Sequence, residues 1–286
     1  MTLTLDWVPE PEFGGFYQAR ESGAFGKQGL DVTIKARGQG DTWKLVAQGQ
    51  TDFATTAADQ VLIARDRGAD VVAVFAVYQT SPQAIMVHAA RGFTKIDDVF
   101  THTGVLEAED VTWLRFLRKK FPDAQVKVTA NAPGIATFLA NGELSKQCFI
   151  TSEPIQARAR DSDPATFLIA EAGYNPYTTV VIARGEMVRN DPATIKKLVT
   201  AMREGWRAYL DDPGPMNAKM GELNREMDAK TFAESARLQH PLIETEETKQ
   251  TSLGAMTKER WQTLGQQLVD LAVIKQPPTM DCFATF

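Results

Sequence analysis

Alternation of short apolar segments with helical segments is the feature that most constrains the fold of this chain. Residues 71–78 form an uninterrupted apolar run of the length of a buried strand. The helix predicted before it, residues 59–67, ends at Gly68. Because this strand–helix order recurs with short connections, it is typical of an α/β protein with a mainly parallel sheet.

The pattern starts again after the segment 79–82, and this restart predicts a second, smaller α/β unit. Its predicted strands cover residues 84–88, 103–106, 126–129 and 148–151, and its predicted helices cover residues 111–121 and 135–140. Residues 180–183 are either its last strand or a return to the first unit. Since 286 residues exceed the usual size of one hydrophobic core, we expect a discontinuous first lobe (1–82 and 180–286) and a second lobe (83–179).

Composition and charge exclude several classes of protein. The net charge of -5 is made of interspersed charges, and no basic stripe could neutralise a run of phosphates, so nucleic-acid binding is not expected. No apolar run reaches the length of a membrane span, so no membrane insertion is expected. The first residues lack the basic and apolar regions of a signal peptide, which was therefore either removed or never present.

Cys148 and Cys282 are the two cysteines of the chain. They are isolated and have no histidine at ligand spacing, so no metal site is predicted. Two buried thiols and a single disulfide both remain open. The three histidines, His88, His102 and His240, are too scattered for a catalytic triad, and no nucleotide-binding fingerprint occurs. We therefore predict no catalytic residues and no cofactor.

Several segments resemble one family of binding proteins. They are Leu5-Asp6-Trp7-Val8-Pro9, Gly14-Gly15-Phe16-Tyr17-Gln18-Ala19, residues 44–54 and residues 190–206. Together they are similar to the periplasmic proteins that bind the thiamine pyrimidine precursor and, more distantly, to those for taurine, alkanesulfonates and nitrate. The resemblance extends over nearly the whole chain.

The resemblance implies a type II periplasmic-binding-protein fold, in which two α/β lobes enclose a ligand cleft and the C-terminal part is helical. It also implies a monomeric, extracytoplasmic or periplasmic protein that delivers a small molecule to the permease and ATPase subunits of an ABC importer. Ligands of open α/β sheets bind beyond the carboxyl ends of the strands. We therefore searched the segments at those ends for candidate site residues.

The predicted ligand-binding residues are Trp7, Glu10, Glu12, Phe13, Gly14, Tyr17, Thr56, Tyr78, Gln79, Glu107, Glu153 and Tyr177. Trp7 is placed to stack on a flat ligand, although an indole packed under its loop is the alternative. Gly14 could let the backbone approach a ligand, or simply serve the turn into a helix. By the resemblance, Glu153 accepts hydrogen bonds from the amino group and ring of a pyrimidine; its alternative is a carboxylate in the first turn of a helix.

Charge and the resemblance together rank the candidate ligands. Carboxylates at these strand ends would repel anionic cargo, so a neutral or amine-bearing heteroaromatic such as the thiamine precursor ranks first. One alternative is an enzyme like the fungal pyrimidine synthases, which consume a histidine and bound pyridoxal phosphate. Their cysteine-rich motif is missing here, and no convincing lysine for the aldehyde is found. The other alternative is the ligand-sensing domain of a receptor.

Overall fold

The computed structural model describes residues 1–36 and 40–286. The chain divides into two compact units, one formed by residues 1–80 and 176–286 and the other by residues 81–175. The predicted lobes change at residues 82 and 179, which lie slightly later than these two crossings. No helix in the described ranges is both long enough and apolar enough to span a bilayer.

In residues 1–36 and 40–286, ten strands form two five-stranded sheets. In chain order the strands are β1 (Thr2–Thr4), β2 (Thr33–Lys35), β3 (Phe53–Thr56), β4 (Val71–Tyr78), β5 (Gln83–His88), β6 (Gly104–Glu107), β7 (Val126–Thr129), β8 (Leu144–Phe149), β9 (Pro164–Leu168) and β10 (Thr178–Arg184).

Fourteen α-helices are found in the described residues. They are α1 (Gly14–Glu21), α2 (Ala24–Lys27), α3 (Thr42–Ala47), α4 (Ala58–Asp66), α5 (Ile96–Thr101), α6 (Thr112–Lys120), α7 (Ala136–Ala140), α8 (Glu153–Arg158), α9 (Gly185–Asn190), α10 (Pro192–Asp211), α11 (Gly214–Leu223), α12 (Ala229–Ile243), α13 (Glu246–Gln250) and α14 (Lys258–Asp270).

The sheet of the first unit has the strand order β2-β1-β3-β10-β4. β1 pairs in parallel with β2 and β3, whereas β10 runs antiparallel to β3 and β4. Every residue of β4 is buried, which explains its unbroken apolar sequence. The carboxyl ends of β1, β3 and β4 therefore share one edge with the start of β10. Of the two alternatives for residues 180–183, the return to the first unit is correct.

The sheet of the second unit has the order β7-β6-β8-β5-β9. β6 lies in parallel between β7 and β8, while β5 is antiparallel to β8 and β9. Its core packs Met86 and Leu144 from the sheet against Phe138 of α7. The carboxyl ends of the three parallel strands thus meet at one edge of this sheet.

Close contact between α1 and α10 organises the helical part of the first unit. Trp206 and Tyr209 of α10 are fully buried, as their helical spacing predicts. A Cβ at Gly15 would lie 2.1 Å from the Trp206 ring, and one at Gly14 would lie 2.2 Å from the Tyr209 ring. The two glycines are therefore needed for helix packing, which gives Gly14 a structural role; its ligand contact stays a prediction.

Two strands of the second unit differ from the sequence expectation. β8 begins at Leu144 rather than at residue 148, and β9 was not predicted. β8 carries Ser145, Lys146 and Gln147 in its middle, so its polar residues hide the strand pattern. The reason is that Lys146 is buried with hydrogen-bond partners, which hydrophobic periodicity does not detect.

Both cysteines are free and buried, so the disulfide alternative is wrong and the two thiols are separate. Burial raises the pKa of the Cys282 thiol to about 12. Burial also raises the pKa of Cys148 well above its ordinary value. Neither thiol is therefore ionised or nucleophilic at neutral pH.

Replacing Gly15 with alanine should destabilise the protein, because the added methyl group would overlap the Trp206 ring. Such overpacking costs about 1–3 kcal/mol. Gly26 is the matched control, since nothing lies within 4 Å of its virtual Cβ; Gly26→Ala should be neutral or slightly stabilising. Urea denaturation measures both variants, and equal free energies of unfolding would contradict the packing argument.

Candidate functional site

A polar network closes the carboxyl end of β1 in the first unit. The Asp6 amide donates a hydrogen bond to Thr55 Oγ1 at 2.8 Å, and the Thr55 hydroxyl donates back to the Asp6 carboxylate. Thr42 in turn donates to the Thr55 carbonyl oxygen at 2.6 Å. Because these bonds fix the chain on both sides of the carboxylate, Asp6 is held at the sheet edge in a defined orientation.

Trp7 follows directly and presents an aromatic surface at the same edge. Its side chain is 48% exposed, and its indole N–H donates to Glu10 Oε1 at 3.3 Å. The Trp7 indole is therefore not packed under its loop, which was the alternative. A half-exposed indole adds aromatic surface to the polar end of the strand.

The other predicted residues of the first loop lie on the same turn. Glu10 and Glu12 are partly buried, and Phe13 is fully buried at the end of the 3-10 turn Pro11–Phe13. Tyr17 in α1 is also buried, with the Arg20 guanidinium 5.1 Å from its ring centre. Burial raises the pKa of the Tyr17 phenol, which Arg20 partly opposes. The segment therefore places two carboxyl groups, those of Glu10 and Glu12, close in the chain to buried aromatic side chains.

The predicted residues at the other strand ends of the first unit are buried. Thr56 ends β3, and Tyr78 ends β4 with its hydroxyl donating to Gln239 at 2.8 Å. Gln79 donates through its amide group to the carbonyl oxygens of Ala76 and Ala255. These contacts within the unit show that Tyr78 and Gln79 also have a structural role at the crossing.

Tyr177 precedes β10 and packs against α14. Its hydroxyl accepts a hydrogen bond from the Thr257 amide at 2.9 Å, and the Arg260 guanidinium lies 3.9 Å from its ring centre. Burial lowers the pKa of Arg260, which interaction with Tyr177 and Glu247 partly opposes. The hydrogen bond thus fixes the Tyr177 hydroxyl, and the guanidinium packs against the face of its ring.

A buried ion pair lies at the corresponding edge of the second unit. Lys146, which is 1% exposed, donates to Glu107 Oε2 at 2.8 Å, to Asn131 Oδ1 at 2.7 Å and to the Ala132 carbonyl at 2.7 Å. Thr137 donates to the same Glu107 oxygen at 2.9 Å. An ammonium group has three donors, so Lys146 is saturated and ties the ends of β6 and β7 together.

This pairing determines the charge state of Glu107. Burial by itself raises the pKa of the carboxyl, but the hydrogen bonds from Lys146 and Thr137 outweigh it, so the pKa lies below its ordinary value. Glu107 is therefore ionised at neutral pH and neutralises the Lys146 charge. The predicted ligand contact at Glu107 must share this carboxylate with Lys146.

Glu153 begins α8 just after β8, as the sequence predicts. Its carboxylate accepts a hydrogen bond from the Phe149 amide at 2.8 Å. Burial raises the pKa of Glu153, and the hydrogen bond from Phe149 offsets this only in part. The side chain can therefore accept a hydrogen bond as a carboxylate or, after taking up a proton, donate one.

Sequence reasoning missed two residues of these edges. Asp6 appears in the sequence analysis only within the segment that resembles the family. Its position at the end of a strand could have identified it as a candidate site residue. Lys146 was hidden because the predicted strand began after it. In the part of the chain that the structure describes, no group of three His, Cys, Asp or Glu side chains is arranged to hold a metal ion.

The family of this chain follows from comparison with known proteins. The family model described as NMT1/THI5 like matches residues 10–215. The chain belongs to the NMT1/THI5-like family. The predicted family resemblance is therefore confirmed.

Two curated proteins that are similar to this chain are named for different functions. The riboflavin-binding protein RibY of Chloroflexus aurantiacus is 23% identical over 279 residues, covering 91% of this chain and 78% of RibY. The 4-amino-5-hydroxymethyl-2-methylpyrimidine phosphate synthase THI13 of Saccharomyces cerevisiae is 22% identical over 246 residues, covering 74% of this chain and 68% of THI13. One relative is thus named for binding and the other for synthesis.

A solved structure gives the fold. The periplasmic aliphatic sulphonate binding protein SsuA of Escherichia coli matches with a TM-score of 0.71 and 13% identity, covering 97% of this chain and 89% of SsuA. The two mixed sheets with their helices therefore have the periplasmic-binding-protein fold, as predicted.

Replacing Lys146 with methionine should destabilise the protein by about 3–5 kcal/mol, because it leaves Glu107 buried without its counter-charge. The double variant Lys146→Met, Glu107→Gln should recover part of this loss. The control is Lys249→Met in the exposed pair with Glu246, which should cost far less, because solvent screens both charges. Denaturant titration measures the free energy of unfolding of each variant. If Lys146→Met loses no more stability than Lys249→Met, the buried ion pair does not stabilise the fold.

Replacing Glu153 with glutamine should change the pH dependence of stability. A carboxyl with a raised pKa binds its proton more tightly in the folded state, so it destabilises the fold progressively as pH rises above about 4.3, the ordinary value. The variant should therefore gain stability over the wild type between pH 4 and 7, and gain nothing below pH 4. Unfolding curves across this range test the effect, and a constant difference at all pH values would contradict it.

Proposed function

We propose that this protein is the solute-binding component of an ABC importer and that it captures a small heteroaromatic molecule without chemical change. The observation that carries the proposal is the half-exposed Trp7 indole beside the oriented Asp6 carboxylate. An aromatic face next to a fixed hydrogen-bond acceptor suits a flat ring that carries N–H groups.

The second unit supports the same class of ligand. Glu153 offers a further hydrogen-bond acceptor. Because its pKa is raised, the carboxyl group can also take up a proton and donate a hydrogen bond, which suits a neutral ligand that has both donor and acceptor groups. We propose that Trp7 in the first unit and Glu153 in the second are each needed for capture of the ligand. Tight binding would then require both units.

Anionic cargo is disfavoured on electrostatic grounds. The Lys146 ammonium is neutralised by Glu107 and saturated with acceptors. Asp6, Glu10 and Glu12 add negative charge near Trp7. Among the residues that the structure describes, a sulfonate would therefore meet these acids rather than a free Lys146 charge, although SsuA, which shares the fold, is named for sulphonate binding.

Two ring classes fit the proposal. The first is an aminopyrimidine such as the thiamine precursor, whose phosphate the THI13 relative is named for making. The second is a flavin, for which RibY is named. Both have a flat ring with hydrogen-bonding edges. The proposed partners are the permease and ATPase subunits of an importer, and the proposed location is extracytoplasmic.

An enzyme related to THI13 is the competing function. Its pyridoxal phosphate would require a lysine with an unprotonated amine for the aldehyde. At the described strand-end edges Lys146 is the buried candidate, but its Nζ already donates three hydrogen bonds, one of them to its ion-pair partner Glu107. These residues do not fit that group, so the geometry favours binding over synthesis.

Calorimetric titration with 4-amino-5-hydroxymethyl-2-methylpyrimidine and with riboflavin tests the proposal. One of them should bind, and Trp7→Ala and Glu153→Gln should each weaken its affinity at least tenfold, since each removes a direct contact. Phe93→Ala is the control: Phe93 is a partly exposed aromatic that stacks with Arg91 in the second unit, and its loss should leave the affinity unchanged.

Two results would reject the proposal. Unchanged affinity in both Trp7→Ala and Glu153→Gln would show that the ligand binds elsewhere. Turnover of the bound compound to a new product, detected by mass spectrometry after incubation, would show that the protein is an enzyme.

A further inference from the structure

A loop of the second unit, residues 130–135, joins the carboxyl end of β7 to α7. Lys146 of β8 fixes this loop through two consecutive residues, because it donates to Asn131 Oδ1 and to the Ala132 carbonyl oxygen, both at 2.7 Å. Its remaining hydrogen bond, at 2.8 Å, goes to Glu107. A buried ammonium group therefore ties the loop to the sheet, and Asn131 is held in position before any ligand binds.

The contact with Lys146 also determines how the Asn131 amide is turned. A lysine ammonium has only donors, and the one acceptor atom of an asparagine side chain is its oxygen. The atom that meets Lys146 must therefore be Oδ1, which leaves the N–H groups of Nδ2 for another partner. Among the residues that the structure describes, no acceptor takes up these N–H groups, and Asn131 is partly exposed. Nδ2 is thus a donor available to a ligand.

Asn131 and Glu153 lie at the same edge and on the same face of the second sheet. The loop before α7 and the first turn of α8 both follow strands whose carboxyl ends share that edge. α7 and α8 pack in one core around Cys148 of β8, so both helices cover one face. Burial raises the pKa of Glu153, and the nearby Lys146 charge is among the groups that oppose this rise. One edge therefore carries both an oriented amide donor and a carboxyl group.

We propose that Asn131 donates a hydrogen bond to an acceptor atom on the ring of the ligand, and that Lys146 orients the Asn131 amide for this contact. This inference rests on the proposed function and extends it, because Glu153 would contact a donor of the ring and Asn131 an acceptor. It narrows the ligand class to rings that have a ring nitrogen or a carbonyl oxygen as well as an N–H or amino group.

Two substitutions of Asn131 test this contact in the calorimetric titrations with 4-amino-5-hydroxymethyl-2-methylpyrimidine and riboflavin, both of which have ring acceptors. Asn131→Ala removes the donor and should weaken the compound that binds about three- to tenfold. Asn131→Asp keeps an oxygen for Lys146 but sets a carboxylate against the acceptor of the ligand. It should therefore weaken binding by about tenfold or more.

Asn141→Asp is the matched control. The side-chain oxygen of Asn141 is likewise engaged, since it accepts a hydrogen bond from the Glu143 amide at 3.0 Å. Asn141 precedes β8, however, and so lies at the opposite end of that strand from Glu153. The control variant should leave the affinity for either compound unchanged.

A probe without ring acceptors separates loss of the hydrogen bond from damage to the loop. The benzene analogue of the pyrimidine has the same substituents, with C–H groups in place of both ring nitrogens. It should bind the wild type less tightly than the pyrimidine does, and Asn131→Ala should not weaken it further. Equal weakening of the pyrimidine and its analogue in Asn131→Ala would overturn the inference. If only riboflavin binds, the two Asn131 variants and the Asn141 control decide.

The outcomes also distinguish this inference from the proposed function. If Trp7→Ala and Glu153→Gln weaken binding but neither Asn131 variant does, Asn131 does not contact the ligand, and the proposed function stands without it. If the Asn131 variants weaken binding while Trp7→Ala and Glu153→Gln do not, the ligand binds at the loop and the proposed ring site is wrong. If neither compound binds, both are overturned.

Discussion

Parallel pairing within each sheet determines where this protein can bind a ligand. In the first unit it places the end of β1 beside the end of β3, and in the second it aligns the ends of β6, β7 and β8. The turns after these strands are the places where backbone and polar groups are not used by the sheet. Asp6 and Trp7 lie in such a turn of the first unit, and Glu153 begins α8 just after β8 in the second unit.

Hydrogen bonds inside each unit then decide which of those groups remain for a ligand. Lys146 and Glu107 satisfy each other, and Tyr78 is bound to Gln239. Trp7 is 48% exposed, and Tyr17 lines a cavity of the first unit. We propose that the aromatic and acceptor groups described at these strand ends suit a flat molecule with donor groups.

Much of this fold could be predicted from the sequence because apolar runs and helical periodicity report burial directly. β4 and β7 have the predicted bounds, and Trp206 and Tyr209 are core residues as their spacing indicates. β8 was predicted too short because Lys146 is a charged residue in a buried strand, and its partners come from distant positions. The packing role of Gly14 could not be predicted for a similar reason, since its neighbour Tyr209 lies on a helix nearly 200 residues later.

A crystal structure of the protein with its bound ring compound would test the central claim most directly. The account predicts ring density in van der Waals contact with the Trp7 indole, and a hydrogen bond between the compound and the Glu153 carboxyl group. Density located instead in another cavity, such as the one lined by His88 and Ser162 in the second unit, with Trp7 and Glu153 free of contact, would contradict it.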